Sequence, residues 1–143
     1  AYARDLLTEH AIEERVRHLG WCGGPRLDAF FAAIDVLAQP STYEPFGLSA
    51  LEAAARGVPL VCTPVDGLVE VLGEHAFYCD DTGYPAFLDA MTRWRDADPD
   101  AIAARCAGAR ARALEHFTDL AMANRYLERF RQLTGAATAT GDP

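Results

Sequence analysis

Val36-Leu37-Ala38-Gln39-Pro40-Ser41-Thr42-Tyr43-Glu44-Pro45-Phe46-Gly47-Leu48-Ser49-Ala50-Leu51-Glu52-Ala53-Ala54-Ala55-Arg56-Gly57-Val58-Pro59-Leu60-Val61-Cys62 is the stretch that decides the fold. It opens on an apolar run at 36–38 that stops at Pro40. A loop follows over 41–47. Residues 48–56 have helical spacing, and Gly57 suits the left-handed conformation that ends a helix. Residues 59–62 are again short and almost wholly apolar. Strand, loop, helix and strand in that order describe one crossover of a parallel sheet covered on both faces.

The same alternation extends in both directions. Upstream, residues 2–9 read as a helix end with Leu6, Leu7 and Tyr2 or Ala3 on its apolar face. Val16-Arg17-His18-Leu19 reads as a short strand closed by Gly20, and 27–33 as a helix. Downstream, Asp66-Gly67 reads as a turn, 68–72 as a short helix and 76–79 as a fourth strand. The fold class is therefore α/β, a Rossmann-like open parallel sheet flanked by helices. After Asp80 only helices follow. They cover 85–95, then 99 to about 116 with Asp98 as cap and Pro99 at the first helical position, then about 118–133. Tyr126, Leu127 and Phe130 form the expected apolar side of the last one. Residues 1–133 make one domain, and 134–143 a flexible tail.

Composition narrows the function. The 143 residues suit a single domain, with no apolar run long enough to span a bilayer. A formal net charge of -8 disfavours nucleic acid as a partner. All 13 cationic residues are Arg, which excludes Schiff-base chemistry and a P-loop lysine within this chain. Cys22, Cys62, Cys79 and Cys106 show no paired spacing, and the four histidines form no ligand pattern, so no metal is expected. Reduced core thiols suit a cytoplasmic protein.

The chemistry concentrates between Pro40 and Gly57. Ligands of open α/β sheets bind at the carboxyl ends of the strands, where the loop feeds the next helix. Phe46-Gly47-Leu48 would open that helix and offer backbone N–H groups to a phosphate or diphosphate. Gly47 permits close approach. Glu44 stands before the helix and Glu52 about one and a half turns inside it. Two carboxylates flanking an anion site suit hydroxyl groups on either side of a diphosphate. On spacing alone, Glu52 with Arg56 equally suits a surface ion pair, and Glu44 a solvated loop.

Residues 34–41, Tyr43-Glu44-Pro45-Phe46-Gly47-Leu48, Leu51-Glu52-Ala53, Gly57-Val58-Pro59-Leu60-Val61 and Gly67-Leu68-Val69-Glu70 together resemble the GT4-type retaining glycosyltransferases (glycosyl transferases group 1) of the GT-B fold. The resemblance covers about residues 1–133 and points to the C-terminal, donor-binding half of such enzymes. It implies transfer of a sugar from a nucleotide-diphospho-sugar, UDP-, GDP- or ADP-linked, to a hydroxyl acceptor with retention of configuration. Glu44 would contact the transferred sugar as the catalytic carboxylate. The backbone of Phe46, Gly47 and Leu48 would hold the sugar and diphosphate, and Glu52 the ribose. The segment 15–21 resembles the strand and loop leading to the base, which Gly20 and Trp21 would border. Trp21 equally suits an ordinary turn aromatic. Thr42 and Tyr43 would shape the donor entrance.

The chain departs from the pattern at Ala54-Ala55, where a Met-Ala pair is common, and at Asp66, where a second glycine often precedes Gly67. The resemblance also implies an Arg and a Lys at the diphosphate upstream of Ala1. It implies an N-terminal domain for the acceptor (a glycan, lipid or small molecule), through which any contact with the inner membrane would be made. The piece alone is expected to be inactive. A catalytically inactive nucleotide-sugar binding or regulatory module of the same fold is the alternative. No glycine-rich fingerprint for a dinucleotide follows a first strand.

Overall fold

Three short apolar runs pair side by side. In the computed structural model, which describes residues 2–135, they are β1 (Leu37–Gln39), β2 (Leu60–Cys62) and β3 (Phe77–Tyr78). They form one parallel sheet in the order β1-β2-β3, with Leu37 opposite Leu60, Gln39 opposite Cys62, and Cys62 opposite Tyr78. Central β2 is buried along its whole length, which is why it carries no polar side chain. The chain divides into two compact units, Ala1–Ala33 and Ile34–Pro143.

The first unit holds α1 (Tyr2–Glu9), a 3-10 turn at Glu13–Arg15 and α2 (Pro25–Ala32). Tyr2 and Ala3, expected on the apolar face of α1, have side chains outside the described set. The strand expected at 16–19 does not form. Val16 is extended, but the segment pairs with no other strand among the described residues, and Val16 and Leu19 are exposed. An extended segment without a ladder partner leaves its backbone groups to solvent. The described sheet therefore has three strands, not four. Helix α2 begins two residues earlier than expected because Pro25 takes the first helical position, where no N–H is needed.

In the second unit β1 leads to α3 (Leu48–Ala55), β2 to α4 (Asp66–Leu72), and β3 to α5 (Tyr84–Arg95). Val61 of β2 packs in a cluster with Phe77, Cys79 and Ala90, covered by Phe87, Met91 and Trp94 of α5. The period of two turns Leu60 and Cys62 to the other face. Helix α3 packs on β1, β2, α4 and α6 (Pro99–His116). Buried Ala50, Ala53 and Ala54 on α3, with Ala109 and Ala113 on α6, keep these helices close.

The arginine-only composition finds a use on α6. Arg110 donates to the carbonyl of Ala55 at the end of α3 (3.1 Å). Arg112 donates to those of Val71 (3.1 Å) and Glu70 (2.7 Å) in the last turn of α4. Arg105 donates to Glu74 (2.9 Å) and Ala76 (3.3 Å) ahead of β3. The forked guanidinium of Arg112 satisfies two carbonyls at once, and Arg110 and Arg112 complement the negative ends of α3 and α4.

Asp98 caps α6 as expected, accepting from the N–H groups of Asp100 and Ala101. Two expectations fail here. Asp66 and Gly67 are not a turn but the first residues of α4. An acidic residue in a first turn is favourable, and the glycine is required by packing rather than by backbone conformation. The last helix, α7 (Asp119–Thr134), is capped by Thr118, one of the two residues (Thr118 or Asp119) that the sequence offers as cap, but its apolar side is not buried. Tyr126, Leu127 and Phe130 are all more than half exposed. Helical periodicity specifies a stripe, and nothing among the described residues of this unit covers it. Thr134, placed in the tail by sequence, still belongs to α7, Gly135 follows it as the left-handed C-cap, and 136–143 lie outside the described residues.

Candidate functional site

The loop between β1 and α3 is held open by its own polar groups. Glu44 turns its carboxylate back into the loop. Oε1 accepts from the Gly47 N–H (3.0 Å) and Oε2 from Gln39 Nε2 (2.9 Å). Gln39 is the last residue of β1, so the carboxylate is tied to the sheet at one end and to the start of α3 at the other. Charge-assisted bonds of this kind are stronger than neutral ones. A carboxylate has about four acceptor positions, so roughly two remain for hydroxyl groups.

Gly47 is the residue before α3 and has φ 92° and ψ 49°, in the left-handed region. A side chain there would also meet Leu68 of α4 at 2.8 Å. Both reasons require glycine. Its N–H is not free for a ligand, contrary to the expectation from sequence, because Glu44 occupies it. The first turn of α3 has no side-chain cap. The N–H groups that open this helix at Leu48 and Ser49 therefore lack an intrahelical acceptor. Phe46 and Leu48 stand exposed, at 41% and 62%, so their backbone and not a buried side chain marks the loop.

A cleft of about 470 Å³ lies at the carboxyl ends of β1 and β2, lined by Thr42, Tyr43, Glu44, Pro45, Pro64, Val65 and Asp66. Its charged residues are two acids with no cation, which suits hydroxyl-bearing groups better than a bare phosphate. Glu52 lies on α3, half-buried, five residues after Gly47. Arg56 donates to the carbonyl of Glu52 (3.0 Å).

Sequence reading missed three contributors. Gln39 fixes Glu44. Thr63 is a fully buried polar residue whose hydroxyl donates to the Ser41 carbonyl, fastening the loop after β1 to the end of β2. Gly67 lies against the loop backbone, with Phe46 N 2.7 Å from where its Cβ would stand. The available signal was polarity at strand ends: Gln39 and Thr63 are the first polar residues after two apolar runs.

Glu44, Phe46, Gly47, Leu48 and Glu52 are thus brought together on one loop and helix. Gly20 and Trp21 belong to the first unit. There Gly20 has φ 67°, and Trp21 is 87% exposed. The Trp21 ring folds over Gly23, with Cζ3 2.8 Å from where a Cβ would stand. Arg26 anchors the turn by donating to the Leu19 carbonyl (2.8 Å). Among the described residues, no helix is long and apolar enough to cross a membrane.

Comparison with known proteins bears on this site. The family model of glycosyl transferases group 1 matches residues 1–107. An uncharacterized glycosyltransferase of Methanocaldococcus jannaschii, MJ1607, is 41% identical over 71 residues, 50% of this chain and 18% of that protein. Sucrose-phosphate synthase of Thermosynechococcus elongatus superposes with a TM-score of 0.80 at 30% identity, covering 94% of this chain and 34% of that one. HepE of Anabaena, solved with UDP and glucose, superposes with a TM-score of 0.73 at 25% identity, covering 90% and 35%. The chain thus spans 18% of MJ1607 and about a third of each of these solved chains.

Proposed function

The chain belongs to the glycosyl transferases group 1 family, and from that premise we propose that it is the donor-binding, C-terminal part of a longer glycosyltransferase of the GT-B fold that retains anomeric configuration. The domain spans residues 1–133. It takes a nucleotide-diphospho-sugar, the donor class suggested by the UDP and glucose of HepE. The observation that carries the reading is the Glu44 carboxylate, held between Gln39 and the Gly47 N–H beside an open cleft.

In this reading the spare acceptor positions of Glu44 receive sugar hydroxyls. The opening N–H groups of α3 lie toward the diphosphate, where backbone donors and the helix dipole stabilise the negative charge that grows as the sugar departs. Glu52 holds the ribose hydroxyls. Glu44 acts by orienting and by electrostatics, not as a covalent nucleophile. Two hydrogen bonds to its oxygens lower its nucleophilicity and fix it in the loop. The cationic contacts to the diphosphate are assigned to an Arg and a Lys outside this chain, consistent with a cleft lined by acids. The acceptor is held by another domain.

The test is a calorimetric screen of UDP-, GDP- and ADP-sugars against the complete protein, followed by transfer of radiolabelled sugar to hydroxyl acceptors. Saturable binding of one donor class and acceptor-dependent transfer are expected. Binding of none of them overturns the reading. Binding without transfer to any acceptor supports an inactive binding module instead. The same assay on residues 1–143 alone should show no acceptor-dependent turnover.

A further inference from the structure

The Phe46 side chain, exposed on one side, packs against an aromatic neighbour. Its ring meets that of Phe117 edge to face, with centroids 5.9 Å apart and planes at 67°. Phe117 stands at the junction of α6 and α7, and two guanidinium groups lie over its ring: Arg112 at 5.8 Å and Arg125 at 6.0 Å. Arg112 is itself fixed, because it donates to the Glu70 and Val71 carbonyls of α4. Helix α4 in turn touches the site loop through Gly67 and Leu68. Beside the Phe46–Phe117 pair lies a cavity of about 390 Å³, lined also by Met122, Arg125 and Tyr126.

We propose that Phe117 is a positioning residue for the donor site: through Phe46 it sets where the backbone of Phe46, Gly47 and Leu48 stands. This rests on the donor-binding reading above. The edge-to-face contact supplies directional attraction beyond simple burial, and the two guanidinium groups, attracted to the electron-rich ring face, help to hold the Phe117 ring in place. The neighbouring cavity means that cutting back the Phe117 ring leaves open space on that side of Phe46. The loop would then have room to relax toward the cavity, and backbone donors misplaced by about an ångström lose much of their effect on a bound anion.

The test uses the complete protein with Phe117→Leu and Phe117→Tyr. Amide hydrogen exchange is followed at 46–48, with 60–62 in β2 as internal reference, beside donor KM and kcat. In Phe117→Leu, exchange at Gly47 and its neighbours should quicken about three- to tenfold, with 60–62 unchanged, and donor KM should rise by a similar factor. Phe117→Tyr keeps the ring and should restore both. Unchanged exchange at 46–48, equal quickening at 60–62, or no rescue by Tyr overturns the coupling. Local quickening with an unchanged KM overturns its assignment to the donor. If the wild-type protein binds no nucleotide-sugar, the donor reading fails while the exchange pattern still decides whether Phe117 holds the loop.

Discussion

Gly67 at the start of α4 lies beneath the peptide plane that follows Glu44. A Cβ on Gly67 would overlap the Glu44 carbonyl oxygen and stand 2.8 Å from the Pro45 carbonyl carbon. The atoms in the way are backbone, so the only relief is to move the loop or the helix. Gly67→Ala should therefore lower stability by about 1–3 kcal/mol, as overpacking does, and weaken donor binding more than tenfold. Chemical denaturation and calorimetry measure the two effects. A stable variant with wild-type donor affinity would show that the loop position is immaterial to binding.

Glu44→Gln separates the charge of the carboxylate from its place in the loop. The new amide oxygen can still accept from the Gly47 N–H, but its NH₂ would face the Gln39 donor. Gln39 has a way out. Its Oε1 is buried and has no partner, so rotating the Gln39 amide by half a turn presents an acceptor instead. The melting temperature should then stay within a few degrees of wild type. Transfer should slow by about 100-fold or more, because a full negative charge at the reacting sugar is gone. Gln39→Leu makes the converse change, keeping the charge and freeing it to swing. A Glu44→Gln variant with undiminished turnover would remove this carboxylate from the chemistry.

Much of this architecture was legible because strand and helix periodicities are local. The apolar runs at 36–38 and 59–62 and the cap at Asp98 depend on neighbours in sequence. The errors arose where partners are remote. Residues 16–19 have strand-like character but no partner strand among the described residues, and a strand exists only in a pair. Tyr126, Leu127 and Phe130 have helical spacing, but spacing does not say what will cover them. At the site, Glu44 was visible from its motif. Its tie to Gln39 and the Thr63 bond to Ser41 were not, since a side-chain hydrogen bond across a loop leaves no period in the sequence. Gly67 could be quoted as a residue, but only the structure shows the backbone it touches.

Buried Cys62 and half-buried Tyr78 contribute to the alkaline limit, as does the Cys79 thiol, which burial also raises. Burial first, and then Cys79 nearby, push the Cys62 thiol from its ordinary 9.0 up to about 12. Burial likewise raises the Tyr78 phenol, whose hydroxyl donates to the Gly73 carbonyl (2.8 Å). Below about pH 7.5 folded and unfolded chains carry the same protons on these groups and no pH dependence arises from them. Above it the unfolded thiol ionises while the folded one stays protonated, so unfolding becomes easier as pH rises. The slope is at most about 1.4 kcal/mol per pH unit for Cys62. Denaturation midpoints should fall between about pH 9 and pH 11, and more gently in Cys62→Ala. Equal slopes in both proteins would show that Cys62 is not the titrating group.

Glu44 and Glu52 should fail in different assays because they serve different ends of one donor. Ribose is common to a free nucleoside diphosphate and to its sugar conjugate, whereas the transferred sugar is present only in the second. Glu52→Ala should therefore weaken both ligands about equally, by roughly tenfold, the loss of one charged hydrogen-bonding partner. Glu44→Gln should leave the nucleoside diphosphate unaffected and weaken or slow only the sugar conjugate. The contrast also guards against a trivial explanation. Glu52 is on a helix whose buried face is made by Ala50, Ala53 and Ala54, so replacing it with the strongest helix former should not unfold α3. Calorimetry with both ligands on both variants gives four numbers. Equal losses for the two ligands in Glu44→Gln, or none in Glu52→Ala, would break the assignment of one carboxylate to the sugar and the other to the ribose.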